Sequence, residues 1–129
     1  VTARSRLRLV SDRSEDYCEG LDPLLLQPVP LFICTVLVHL RWCRVAVVRD
    51  TVKVRAAALS AQVSKLRVVG YVETRRDSSQ HVIRLTPLGW ERLNRHLTAQ
   101  GAMVARAYEL ITTAMEIEPA EVPPDRDGA

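Results

Sequence analysis

The 129-residue sequence predicts a mainly α domain with one small β-hairpin, an α+β fold, and three observations carry that expectation. Apolar residues recur at helical spacing in several separate stretches. A glycine closes one of these and is followed by two runs of strand composition around polar turn residues. A Thr-Pro pair then opens a last, long helical stretch. With 47% hydrophobic and 26% charged residues, the chain supports one globular core and not two.

Residues 1–20 mix Arg, Ser and acids with neither hydrophobic period and read as a flexible N-terminal arm. The domain proper is expected over residues 21–117. Asp22 and Pro23 combine a cap with a first-turn proline, giving a short turn that runs to Gln27. Pro28 and Pro30 restart a helix on which Leu31, Phe32, Ile33, Val36, Leu37 and Leu40 are apolar nearly all round, so it is expected to be deeply buried between core and partner. Val45 to Val52 is rich in β-branched residues, yet Val45, Val48 and Val52 have helical spacing and predict a short second helix. In a third helix from Ala56 to Val69, Leu59, Val63, Leu66 and Val69 form the inner face and leave Ser60, Gln62, Ser64, Lys65 and Arg67 outside.

Gly70 ends that helix, because a left-handed residue there terminates it without a Cβ penalty. Tyr71–Arg76 and His81–Thr86 then predict two strands, with Asp77-Ser78-Ser79-Gln80 as turn chemistry between them. Thr86 caps the last helix and Pro87 occupies its first position. Leu93, Leu97, Val104, Tyr108, Ile111 and Met115 make one stripe along it, with Gly101 as a candidate break. Residues 118–129 hold Pro119, Pro123, Pro124 and several acids, and read as a disordered acidic tail.

The chain carries 18 Lys and Arg against 15 Asp and Glu, for a net charge of +3, and 16 of the cations are Arg. Their placement says more than their sum. The net charge is 0 over residues 1–20, +8 over 21–106 and −5 over 107–129, which suggests a polyanion-binding module with a tail that avoids or masks the ligand.

Other classes are expected to be absent. Cys18, Cys34 and Cys43 form an odd set without CxxC spacing, and they argue against disulfides and zinc. His39, His81 and His96 are widely separated and suggest neither a metal nor a catalytic role, and Trp42 and Trp90 read as packing residues. The most apolar stretch, Leu21 to Leu40, is interrupted by Asp22, Gln27, Pro28 and Pro30, and no secretion signal precedes it, so the expected location is cytoplasmic with no membrane partner. No phosphate-cradling Gly-rich loop, HExxH helix or GxSxG elbow occurs, so no catalytic residues are assigned, an enzyme is not expected, and no cofactor is implied.

Helix, helix, turn, helix, hairpin, helix, with the third helix and hairpin as basic neighbours, is the order of a winged helix-turn-helix with extra dimerisation helices. Leu21-Asp22-Pro23-Leu24, Gln27-Pro28-Val29, Leu59-Ser60, Lys65-Leu66-Arg67, Gly70-Tyr71-Val72-Glu73 and Leu85-Thr86-Pro87-Leu88-Gly89 resemble the stand-alone winged-helix transcriptional regulators related to the MarR and ArsR families. The resemblance spans about residues 21–100 and implies a regulator that binds a short, pseudo-palindromic operator in duplex DNA as a homodimer. Ser60, Gln62, Ser64 and Lys65 are then the candidates for base contact, and Arg55, Arg67, Arg75, Arg76 and Arg84 for phosphate. The long stripe of the last helix, Leu93, Leu97, Val104, Tyr108, Ile111 and Met115, with Phe32 and Val36 of the first, is the expected dimer seam. The alternative is a winged-helix protein-interaction module without DNA reading, suggested by Ala57 and Ala58 at the head of the third helix. A small-molecule effector between the first and last helices, near Cys34, is a third reading, and no ligand is named by the sequence.

Overall fold

A computed structural model of the chain describes residues 19–125. The expected arm, apart from its last two residues, and the final four residues of the tail lie outside the described residues. Among the described residues, four helices and three short strands follow in the order α1 (Pro28–Val36), β1 (Cys43–Arg44), α2 (Val45–Val52), α3 (Ala56–Val68), β2 (Val72–Asp77), β3 (Gln80–Leu85) and α4 (Pro87–Glu116). Residues 118–125 form neither helix nor strand. No described helix is long and apolar enough to cross a membrane.

Ahead of α1, Asp22 accepts the Leu24 amide at 2.9 Å and closes the expected turn. Its own amide donates to Nδ1 of His96 on α4 at 2.9 Å, and the Tyr71 hydroxyl donates to its second carboxylate oxygen. One acid therefore ties the entry of the chain both to the last helix and to the start of the hairpin. His96 is fully buried, and its Nε2 has no hydrogen-bond partner among the described residues.

The first helix is shorter and less enclosed than expected. Its Ile33 and Cys34 are buried together with Leu37 at its C-cap, but it ends at Val36, leaving Leu40 outside in a left-handed conformation (φ 62°). Phe32 is half exposed. The segment released by this early stop reaches the sheet edge as β1, a strand the sequence did not announce because it has only two residues.

The third helix ends as expected. The Gly70 amide bonds to the Arg67 carbonyl at 3.0 Å and the Tyr71 amide to the Leu66 carbonyl at 2.9 Å, with Gly70 at φ 81°. This double closure satisfies terminal carbonyls and sets the chain off in the direction of β2. Val69 becomes the cap and is largely exposed, where the periodicity had placed it inside.

The strands form one antiparallel sheet in the order β1-β3-β2, three strands rather than a two-stranded hairpin. Register pairs Val72 with Leu85, Thr74 with Ile83 and Asp77 with Gln80, so only Ser78 and Ser79 make the turn and each strand is shifted by one residue from its expected span. Ile83, Leu85 and Val72 join Leu25, Ile33, Cys34, Leu37, Val48, Leu59, Leu66 and Leu93 in one core. Burial holds the Cys34 thiol up at about 12, with the Asp22 carboxylate adding to it; it is a small hydrophobe, not a nucleophile.

Thr86 caps α4 as predicted. Its hydroxyl accepts the Gly89 amide at 3.0 Å and donates to the Gly70 carbonyl at 2.6 Å. Gly89 lies so close to the Tyr71 carbonyl that a Cβ would sit 2.2 Å from that oxygen. The helix then runs unbroken through Gly101 for 30 residues, and Gly89, Leu93 and His96 are the only ones it buries.

Candidate nucleic-acid interface

Helices α2 and α3 are joined by Lys53 to Arg55. Lys53 is left-handed (φ 62°) and its amide returns to the Arg49 carbonyl at 2.8 Å, which closes α2 and turns the chain toward α3. Leu59 and Leu66 anchor α3 from below, with Val63 partly buried beside them. Ser60, Ser64, Lys65 and Arg67 are consequently exposed, together with Ala57, Ala58, Ala61 and Val68. Arg55 is the exposed N-cap of α3 and makes no side-chain cap bond.

Gln62 departs from its expected placement. It is partly buried, and its Oε1 is shielded with no hydrogen-bond partner among the described residues. At four residues before Leu66 and three after Leu59, it lies beside the inner face rather than opposite it.

A groove of about 530 Å³ separates α2 and α3 from the hairpin. Arg44, Arg49, Ser60, Ser64, Arg67 and His81 line it, over an apolar floor that includes Leu59 and Val63. The sequence pattern assigned no role to Arg44, Arg49 or His81. Arg44 escaped because β1 was not legible, whereas Arg49 could have been found from its place on the exposed side of α2.

Strand alternation divides the three hairpin arginines. Arg76 pairs in register with His81 on the face shared by Thr74 and the core residue Ile83, and its Nη2 lies 3.2 Å from His81 Nε2. Arg75 and Arg84 belong to the opposite face. Arg84 is bonded through Nε to Glu73, its register partner, and Arg75 is 4.0 Å from Asp77. Both guanidinium groups stack on the Trp42 ring, Arg75 at 4.5 Å and Arg84 at 4.4 Å from the ring centre. Trp42 is thus a platform for cations, not simple core packing, and Trp90 is 43% exposed.

The expected dimer residues also separate. Leu93 is 1% exposed and belongs to the chain's own core. Leu97, Val104, Tyr108, Ile111 and Met115 are exposed along α4, as is Phe32 on α1, while Val36 packs partly against the core.

A helix-turn-helix followed by an antiparallel hairpin beside its second helix defines a winged helix, with β2 and β3 as the wing and α3 in the position of the recognition helix. The family model described as a winged helix DNA-binding domain matches residues 29–104, and the chain belongs to that family. Its fold is that of solved transcriptional regulators. A transcriptional regulator homologue from Pyrococcus horikoshii OT3 is 20% identical, with 72% of this chain and 94% of that one covered and a TM-score of 0.65. The PcaV transcriptional regulator from Streptomyces coelicolor, in complex with its natural ligand, is 17% identical over 88% of this chain and 89% of its own, at a TM-score of 0.57. The transcriptional repressor BigR from Xylella fastidiosa is 26% identical over 75% and 95%, at a TM-score of 0.51. No curated protein matches the chain in sequence. The winged-helix regulator fold that the motifs suggested is therefore the one observed.

Proposed function

We propose that the protein is a transcriptional regulator that reads a short, pseudo-palindromic operator in duplex DNA as a homodimer. The observation that carries this reading is the basic groove, lined by Ser60, Ser64 and Arg67 of α3 together with Arg44, Arg49 and His81, with Lys65 also exposed on α3 and Arg76 of the wing reaching His81. Guanidinium groups bind phosphate by paired hydrogen bonds, and hydroxyls and ammonium groups on the recognition helix meet base edges. Arg55, the exposed N-cap of α3, would contact the flanking backbone.

The family and the regulators of similar fold support the same reading. Duplication of the site is supported by the exposed apolar face of α4, where Leu97, Val104, Tyr108, Ile111 and Met115 extend past the core. Two copies joined there would present two α3 helices to successive major grooves about 34 Å apart. On this reading the protein binds no membrane and performs no catalysis, and it works where the DNA is, in the cytoplasm.

A second reading, a protein-interaction module on the same scaffold, draws on the small apolar residues Ala57, Ala58 and Ala61 and on Val68, 86% exposed, along α3. Fluorescence anisotropy with labelled duplex DNA over a range of salt separates the two. DNA reading requires affinity that falls as salt rises, with a log–log slope of about −0.9 per phosphate contacted. Absence of binding at low salt, or binding indifferent to salt, refutes it and leaves the interaction module.

A further inference from the structure

Trp42 stands one residue before β1, and its ring lies across from the wing strands. Extending the antiparallel register of Cys43 with Ile83 places Trp42 opposite Arg84. Arg84 faces Glu73, and Arg75 faces Val82, on the same outer side of the sheet. Both guanidinium carbons come within 4.5 Å of the indole centre, well inside the distance at which a ring quadrupole attracts a cation.

The two cations are not equivalent. Arg84 is bonded to Glu73, so its charge is offset where it stands. Arg75 has only the 4.0 Å approach to Asp77, and its side chain is exposed. A guanidinium held over a ring face is attracted through its delocalised charge rather than through its N–H groups. Stacking therefore fixes Arg75 without consuming the donors that a phosphate would use. An arginine on an unsupported ribbon would instead lose its rotamer freedom at the moment of binding.

We propose that Trp42 is a positioning residue for DNA binding, which clamps Arg75 on the outer face of the wing for a backbone phosphate of duplex DNA. Arg84, held by Glu73, completes the clamp from the neighbouring strand. The inference rests on the DNA-binding reading and adds a second contact surface to it, on the face of the sheet opposite Thr74 and His81.

The test uses the full chain and a labelled duplex of random sequence, with affinity and salt slope measured for Trp42→Leu, Trp42→Phe, Arg75→Ala, Arg76→Ala and the Trp42→Leu/Arg75→Ala double variant. Loss of the stack is expected to weaken binding about three- to tenfold and to flatten the salt slope by about one contact, as Arg75→Ala does. The double variant should be no weaker than Arg75→Ala alone, because the two act as one unit. Trp42→Phe, which keeps a ring face, should recover most of the affinity. The chain has two tryptophans, Trp42 and Trp90, so a Trp90→Phe protein reports Trp42 alone, and its emission should change when duplex is added even if Trp42→Leu folds poorly. Wild-type affinity in Trp42→Leu, strict additivity with Arg75→Ala, or unchanged Trp42 emission overturns the clamp. If Arg76→Ala still weakens binding in that case, DNA reading survives and only the outer-face contact fails; if the wild-type chain binds no duplex at all, both fail.

Discussion

Replacing Gly89 and Gly101 by alanine, one at a time, should move stability in opposite directions, although both lie in α4. In a helix interior the exchange ordinarily stabilises by about 0.8–1 kcal/mol. Gly101 has open space where the Cβ would go, so Gly101→Ala should gain up to about that amount. At Gly89 the added Cβ would lie 2.2 Å from the Tyr71 carbonyl oxygen and 2.7 Å from Leu85 Cδ1, where ordinary contacts begin near 3.4 Å. Neither obstacle is the far end of a flexible, exposed side chain: one is backbone, and the other belongs to a core residue 1% exposed.

The start of α4 would have to retreat by about 1 Å, which strains the Thr86 amide bond to the Tyr71 carbonyl at 2.9 Å and the Thr86 hydroxyl bond to the Gly70 carbonyl at 2.6 Å. Overpacking costs about 1–3 kcal/mol and each weakened hydrogen bond about 1 kcal/mol, so Gly89→Ala should lose about 3 kcal/mol. For a domain near 100 residues that is a fall in Tm of more than about 10 °C. Urea and thermal unfolding followed by circular dichroism, at one protein concentration throughout, measure both variants. A Gly89→Ala protein as stable as wild type, or a Gly101→Ala protein destabilised to the same degree, would refute the packing argument.

Other expectations follow from the site and the core. Arg76→Ala should weaken binding to all duplex sequences alike and reduce the salt slope by about 0.9, because a phosphate contact carries affinity without sequence information; a change in preferred sequence with an unaltered slope would place Arg76 on a base instead. Val104→Asp with Ile111→Asp, at positions half exposed in the single chain, should give a monomer by sedimentation with its fold intact and its operator affinity lost, and a double variant that still dimerises would move the seam elsewhere. The Tyr71 hydroxyl is held up at about 12, first by burial and then by its hydrogen bond to Asp22, and the Cys34 thiol at about 12, first by burial and then by the Asp22 charge. Both groups ionise earlier in the unfolded chain, so their contribution is complete below the ordinary thiol value of 9.0 and is lost as pH rises from there toward 12. Unfolding in urea should become easier over that window, and Tyr71→Phe should remove part of the dependence; a flat profile in the wild-type chain would contradict the assignment.

Strong local signals carried most of the fold. Pro28, Gly70 and the Thr86-Pro87 pair each mark a helix end by a mechanism confined to a few residues, and each marks it correctly. What escaped was set by tertiary geometry. Two residues of β1 have no period to detect, and they are strand only because β3 offers an edge. The stripe on α4 mixed two environments, since Leu93 and Leu97 share a spacing while only Leu93 reaches the core.

The wing shows the same limit at the level of the site. Arg75, Arg76 and Arg84 are equally basic in sequence, and only the register sets Arg76 beside His81 on one face and the others beside Trp42 on the other. Gln62 looked polar and therefore outward, yet its place beside Leu59 and Leu66 partly buries it. A pattern of residue types cannot distinguish a flank from an outer face when both are one step from the core stripe.

The close fit of Gly89 against Tyr71 makes the root of α4 a stiff joint, and the helix beyond it is a rigid arm. Its 30 residues span about 45 Å. A tilt of about 5° at the joint displaces the far end by about 4 Å over a helix of that length. Leverage works equally in reverse: a force applied over several ångströms near Met115 reaches the wing as a small, well-defined rotation, because no loop lies between to absorb it. A displacement of the far end would in this sense reach the wing only through a contact with no room for one extra methyl group.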